Sequence, residues 1–283
     1  VGLLGPVAIR ELADSLGVRP TKKLGQNFLH DGGTVRRIVA ASGVQNGDVV
    51  LEVGPGLGSL TLGLLEARAQ VCAVEIDPVL AAALPDTVRQ YQGDVQFQVH
   101  RGDALEIESW EQIAGDWPEP KRLIANLPYN VAVPILLHAL AVLPSLESAL
   151  VMVQSEVADR LVAGPGSRTY GVPSVKAAWY GLARRAGGIG RSVFWPEPNV
   201  DSALVDLQCR ETLGDETLRD ATFAVVDQAF SSRRKMLRGA LKPMFGAETT
   251  QILESAKVDG QLRGENLSLE QFVAIAKAAS CEA

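Results

Sequence analysis

Short runs of consecutive apolar residues alternate with longer amphipathic stretches through the first two thirds of the chain. Residues 48–54, 71–75, 122–125 and 149–153 are largely apolar runs of this kind, and residues 95–99 alternate apolar with polar. Runs this short and this uniformly apolar predict strands, and runs covered on both faces belong to parallel sheets. Between them, residues 60–67 read as a helix, and Asp77-Pro78 reads as the cap and first turn of another. Tyr170-Gly171-Val172-Pro173 opens a further helix, and residues 203–207, apolar but for Asp206, read as a last strand. Strand and helix in regular succession predict an α/β architecture around a mostly parallel sheet.

After about Arg210 the pattern changes. Residues 213–240 and 249–279 read as helix only, with a turn-rich break at 242–247. The expected organisation is an α/β domain over residues 1–211 and a small all-α domain over 212–283. No internal repeat or low-complexity segment interrupts either, and the stretch 116–121, with Pro118 and Pro120, reads as an ordinary loop.

Composition narrows the class. At 283 residues, 47% hydrophobic and 21% charged, the chain matches a soluble globular protein and not a disordered or disulfide-stapled one. Cys72, Cys209 and Cys281 are odd in number and far apart, so reduced thiols in a cytoplasmic protein are expected. His30, His100 and His138 are equally scattered, and no metal site is expected. The apolar start lacks a basic leader region, and no apolar run approaches the roughly 18 residues of a membrane span. Neither a secretory leader nor a membrane association is expected, and nothing calls for more than a monomer.

Charge changes the picture again. Lys+Arg 27 against Asp+Glu 33 gives a net charge of -6, which taken alone argues against a nucleic-acid partner. Yet residues 160–196 hold six bases, the adjacent Arg184 and Arg185 among them, and no acid. Residues 228–247 hold five more, Arg233, Arg234, Lys235, Arg238 and Lys242, again with no acid. Local charge decides where a phosphate backbone docks. The second segment reads as a helix, with Phe230, Leu237 and Leu241 on one face and Arg234, Arg238 and Lys242 on another. A solvated face is the usual meaning of a charge run, but an acid-free one favours phosphate.

Three motifs carry the candidate chemistry. Glu52-Val-Gly54-Pro-Gly56-Leu-Gly58 follows a strand and precedes a helix, where glycine permits close approach of a ligand. A dinucleotide fingerprint requires glycine at position 59, where this chain has Ser59. The form is nearer to S-adenosylmethionine sites, with Gly54 and Gly56 lining the cofactor. Glu75 ends the next strand, where its two oxygens can accept both ribose hydroxyls. Asp103 follows the third strand and can accept from the adenine amine, although capping a helix is as good a reading. Alone, the loop is also compatible with a plain strand-to-helix turn.

The third motif is Asn126-Leu127-Pro128-Tyr129-Asn130, also directly after a strand. Pro128 stiffens the turn. An aromatic amine is a poor nucleophile because its lone pair is delocalised into the ring. The Asn126 side-chain oxygen and the Leu127 carbonyl can accept its two N–H groups and free that lone pair, while Tyr129 offers a stacking face. No tuned general base is then needed. The target base must be unstacked to reach such a turn, and Phe194 or Trp195 can cover its other side, core packing being the commoner role for such rings.

Together, Leu24-Gly25-Gln26-Asn27-Phe28-Leu29, Glu52 to Gly58, Val74 to Asp77, Gly102-Asp103-Ala104, Asn126 to Asn130, Phe194 to Ser202 and Arg233-Arg234-Lys235 resemble the rRNA adenine N6,N6-dimethyltransferases. Bacterial members acting on the small subunit are the most similar. The resemblance implies a class I AdoMet-dependent methyltransferase fold (Rossmann-like) with a small helical C-terminal domain. It implies S-adenosylmethionine as donor and two adjacent adenines near the 3′ end of small-subunit rRNA, within the small ribosomal subunit or its precursor, as substrate. Asn27, Leu29, Gly54, Glu75 and Asp103 would then hold the cofactor, to which Asn126 also belongs. Asn126, Leu127 and Tyr129 would hold the target amine, and Phe194 would stack on the base. Other readings remain open: a large-subunit enzyme of the antibiotic-resistance type, a non-catalytic nucleic-acid-binding factor on the same fold and, poorly supported, a nicotinamide oxidoreductase.

Overall fold

The computed structural model describes residues 2–19 and 26–281, the side chain of Cys281 excepted. The chain divides into two compact units, one of Val1–Ala158 with Arg184–Cys209, the other of Asp159–Ala183 with Arg210–Ala283.

Among the described residues, the strands of the first unit are β1 (Phe28–Leu29), β2 (Val49–Val53), β3 (Gln70–Glu75), β4 (Phe97–Arg101), β5 (Arg122–Asn126), β6 (Ser148–Gln154), β7 (Gly181–Ile189, whose first three residues belong to the other unit), β8 (Phe194–Trp195) and β9 (Ser202–Cys209). Seven form one sheet in the order β4-β3-β2-β5-β6-β9-β7. Strands β2 to β6 pair in parallel, and β9 runs antiparallel to β6. The apolar runs predicted as strands are the central ones, and every residue of β2 is buried.

From β2 the chain builds outward to β3 and β4, then returns to the other side of β2 for β5 and β6. The connections after β2 and β5 therefore leave in opposite directions. Their carboxyl ends part to leave a crevice, where ligands bind in open α/β sheets. A helix over Ser59–Glu66 follows β2 and is buried along almost its whole length, and a helix over Pro78–Gln92 follows β3, capped by Asp77. Separately, β1 and β8 form a two-stranded antiparallel sheet, with Phe28 opposite Trp195 and Leu29 opposite Phe194.

The second unit contains helices Val172–Tyr180, Glu216–Phe230, Thr249–Ser255 and Leu269–Cys281 with shorter turns between them. The chain last passes between the units at Cys209/Arg210. Residues 159–183, expected in the α/β domain, instead cluster with the C-terminal helices. Aromatic packing explains this: the Trp179 and Tyr180 rings meet Phe223 edge-on at 6.0 and 6.3 Å, and the Tyr170 hydroxyl donates to the Leu267 carbonyl at 2.8 Å.

The helix expected over 230–242 is broken. The helix ends at Phe230, residues 231–235 turn, and two short helices follow at Leu237–Ala240 and Lys242–Phe245. Five consecutive polar residues, 231–235, leave nothing apolar to hold a further helical turn against a core. The Ser231 hydroxyl instead takes the Gln228 carbonyl, and the Leu237 N–H goes to the Leu262 carbonyl. Arg234, Arg238 and Lys242 therefore occupy three successive segments and share no single helix face.

Candidate active site at the carboxyl ends of the strands

The crevice between β2 and β5 is a pocket lined by the glycine loop, Glu75, Ile76, Asp103, Leu105, residues 126–131 and, from the N-terminal motif, Gln26 to Leu29. Four successive strand ends thus deliver the predicted residues to one place. Leu24 and Gly25 of that motif lie outside the described residues.

Glu75 is 5% exposed, and burial pushes its carboxyl pKa above the ordinary value. Its Oε2 accepts from the Gly56 N–H at 3.0 Å and its Oε1 from the Asp77 N–H at 2.9 Å. Each oxygen keeps a further lone pair for a hydroxyl donor. Gly56 has φ +60, and a Cβ there would stand 3.1 Å from the Phe28 ring, so only glycine suits both backbone and packing. At Gly54, φ +71, a Cβ would lie 3.8 Å from the Asn126 carbonyl oxygen and from Pro128 Cδ, filling the gap between loop and turn. Asp103 does cap the short helix after it, accepting from the Leu105 N–H at 2.9 Å through Oδ1. That capping bond uses one carboxylate oxygen and leaves the other.

At the end of β5, Leu127 is buried and its N–H donates to the Met152 carbonyl at 3.1 Å, anchoring the turn to β6. Asn126 Nδ2 donates to the Asn27 carbonyl at 3.4 Å, an orientation that leaves Oδ1 as the acceptor. Tyr129 is half-buried, and its hydroxyl lies 2.7 Å from Ser202 Oγ.

Phe194 departs from expectation. Its side chain is 3% exposed, lies in the hydrophobic core opposite Leu29 and does not line the pocket. Pairing of β8 with β1 sets Phe194 opposite Leu29 and turns it inward. Trp195, half-buried, stacks on Phe28 at 6.3 Å.

Three lining residues gave no sequence signal of their own. Ile76 and Leu105 are large apolar side chains left 52% and 37% exposed at the pocket, where a flat aromatic ring could shelter them. Glu52 was visible only as a letter of the glycine motif. It is 1% exposed, accepts from the Thr61 hydroxyl at 2.7 Å, and burial raises its pKa to about 8. Ser59, where a dinucleotide fingerprint has glycine, is bonded through its hydroxyl to the Leu29 carbonyl and ties the N-terminal motif to the loop.

The acid-free segments of sequence are not equally acid-free in space. Within the first unit Arg184 pairs with Asp206 at 2.7 Å, and Arg185 donates to Ser155 Oγ at 3.2 Å. Within the second, Arg233 pairs with Glu265 at 2.9 Å and holds the Arg168 carbonyl. Arg234, Lys235, Arg238 and Lys242 are exposed, and none pairs with an acid among the described residues.

The residues at the crevice fit S-adenosylmethionine: a buried acceptor pair for ribose, an adjacent acid and apolar surfaces for a purine, and a loop without Cβ atoms. Comparison with known proteins agrees. The family described as "Ribosomal RNA adenine dimethylase" matches residues 18–280. A "Ribosomal RNA small subunit methyltransferase A" from Leifsonia xyli subsp. xyli is 56% identical, covering 97% of this chain and 98% of its own. A relative of the same name from Streptomyces avermitilis is also 56% identical, covering 97% and 93%. In fold, the chain matches a dimethyladenosine transferase from Plasmodium falciparum with a TM-score of 0.71 at 24% identity, over 88% and 95% of the two chains. It matches the 23S rRNA methyltransferase ErmE with a TM-score of 0.63 at 27% identity, over 90% and 100%. The architecture is thus the class I methyltransferase fold.

Proposed function

Because the chain belongs to the ribosomal RNA adenine dimethylase family, we propose that it transfers methyl groups to the N6 amines of two adjacent adenines near the 3′ end of small-subunit rRNA. The near-complete 56% identity to enzymes named for the small subunit carries the choice of substrate, against 27% to a large-subunit one. The convergence of Glu75, Asp103, Asn126 and Tyr129 on one crevice supports the chemistry.

S-adenosylmethionine supplies an electrophilic sulfonium methyl group when bound. Glu75 and Asp103 hold its ribose and adenine, Ile76 and Leu105 flank the purine, and Asn27, Leu29, Gly54 and Gly56 close around the rest. Asn126 Oδ1 and the Leu127 carbonyl accept the two N–H groups of the target amine. Accepting both pulls the nitrogen toward tetrahedral geometry and localises its lone pair. Tyr129 supports the face of the unstacked base. As the nitrogen takes the methyl group the methyl–sulfur bond breaks, a neutral thioether leaves, and the surplus proton on nitrogen passes to water. Rate then comes from positioning and fixed dipoles, with no side chain required as a tuned base.

On the RNA side, Arg234, Lys235, Arg238 and Lys242 are exposed cations with no acid beside them among the described residues, and we assign phosphate binding chiefly to them. Arg184, Arg185 and Arg233 contribute only where RNA displaces their present partners. Substituting Arg234, Lys235 and Arg238 together by glutamine is expected to weaken small-subunit binding and to lower the slope of log K against log salt by about one for each phosphate no longer neutralised. S-adenosylmethionine affinity should not change. An unaltered slope would show that this segment does not face phosphate.

The activity is tested by methyl transfer from labelled S-adenosylmethionine to unmethylated small and large subunits in parallel, with the modified bases mapped. Label on two adjacent small-subunit adenines is the expected result. Label on the large subunit would replace this reading with the resistance-type one, and cofactor binding without transfer to either would leave a non-catalytic factor.

A further inference from the structure

The Asn-Leu-Pro-Tyr turn has a tyrosine where phenylalanine would stack on a base equally well, and the hydroxyl is not idle. It meets Ser202 Oγ at 2.7 Å. Ser202 is 1% exposed and is the first residue of β9, paired with Gln154 at the end of β6. That register matters, because β6 also pairs with β5 and sets Asn126 opposite Met152. Ser202 is therefore fixed to the same rigid sheet that carries Asn126 and Leu127. Tyr129, by contrast, sits beyond the strand end on a turn, half-buried and within the pocket lining.

We infer that Ser202 is a positioning residue for methyl transfer, locking the Tyr129 ring through its hydroxyl so that the base lies in register with Asn126 Oδ1 and the Leu127 carbonyl. This deepens the proposed function and rests on it. A ring attached only through its own backbone can swing about two side-chain torsions. A hydroxyl tether to a buried group on a strand removes that freedom before the base arrives, so the ordering cost is not taken from the bound state. Tyr129 touches the substrate in this scheme, and Ser202 acts only through it.

The test is a double-mutant cycle of Ser202→Ala and Tyr129→Phe, each of which deletes one hydroxyl and no packing atom. Single-turnover transfer to unmethylated small subunits is read alongside S-adenosylmethionine affinity by calorimetry. Each single variant is expected to lose about three- to tenfold in rate, the scale of one net hydrogen bond. The double variant should lose no more than either single one, because the same tether is cut each time. Cofactor affinity should stay within twofold in all three, which a general loosening of the fold would not allow. Losses that multiply in the double variant, or a Ser202→Ala protein as fast as the parent, would overturn the inference. A parent that transfers no methyl group to small subunits would instead overturn the proposed function, so the two failures remain distinct.

Discussion

Asn126→Ala is expected to lower the rate of methyl transfer by about 10²–10³-fold at saturating cofactor, the loss typical when one fixed polar group is removed from a reacting centre. The reason is geometric. Asn126 ends β5 beside β6, and its Nδ2 is committed to the Asn27 carbonyl. Its Oδ1 is thereby aimed without help from the substrate. Alanine removes the acceptor, leaves the Leu127 carbonyl as the sole partner for two N–H groups, and lets the nitrogen stay planar. Single-turnover kinetics on unmethylated small subunits, at cofactor concentrations well above Kd, would measure this directly. A loss below tenfold would mean that the amine is activated by something other than paired acceptors.

The second large effect concerns stability. Glu52 is 1% exposed, and burial holds its pKa at about 8 against an ordinary value of 4.5. The folded protein keeps this proton where the unfolded chain has released it. Between about pH 4.5 and 8 the native state therefore binds more protons, and stability falls as pH rises through that window, levelling above it. Glu52→Gln keeps an acceptor for the Thr61 hydroxyl and cannot ionise. It should match the parent near pH 5 and exceed it at pH 9 by several kcal/mol, roughly 5–15 °C in Tm. Thermal unfolding at the two pH values decides the matter, and an equal difference at both would show that Glu52 does not carry the linkage. Glu75, also buried, acts in the same direction, which is why the difference between variants is the quantity to read.

The parallel strands were legible because a strand covered on both faces leaves an unbroken apolar run, as in Val49–Val53. The edge strand Gly181–Ile189 was not. It contains three glycines and two arginines, and only its two ends are buried. Its identity comes from pairing with β9 and from nothing in its own pattern. The placement of Phe194 was not legible either: its motif pointed to a base, and only its pairing with Leu29 sets it inward. The free positive charge also depended on folding, since Asp206, which neutralises Arg184, arrives only with β9. Glu75, Asp103 and Asn126 were readable because each sits at a fixed place after a strand, and in a parallel sheet such places converge. Ser202 stood out only as the end of a motif, since its partner Tyr129 is remote in sequence and a serine has no periodic signature.

The small β1–β8 sheet joins residues near the two ends of the first unit, Phe28 with Trp195 and Leu29 with Phe194. Phe28 and Leu29 are part of the pocket wall, and Gly56 packs against the Phe28 ring. On a growing polypeptide the glycine loop, Glu75 and Asn126 emerge early, while the strand that holds the wall emerges much later. Contacts of such long sequence separation form late and slow folding. The closed pocket wall is accordingly a property of the finished domain, and an emerging chain that ends before β8 would carry the chemical groups of the site without the strand that pairs with its wall.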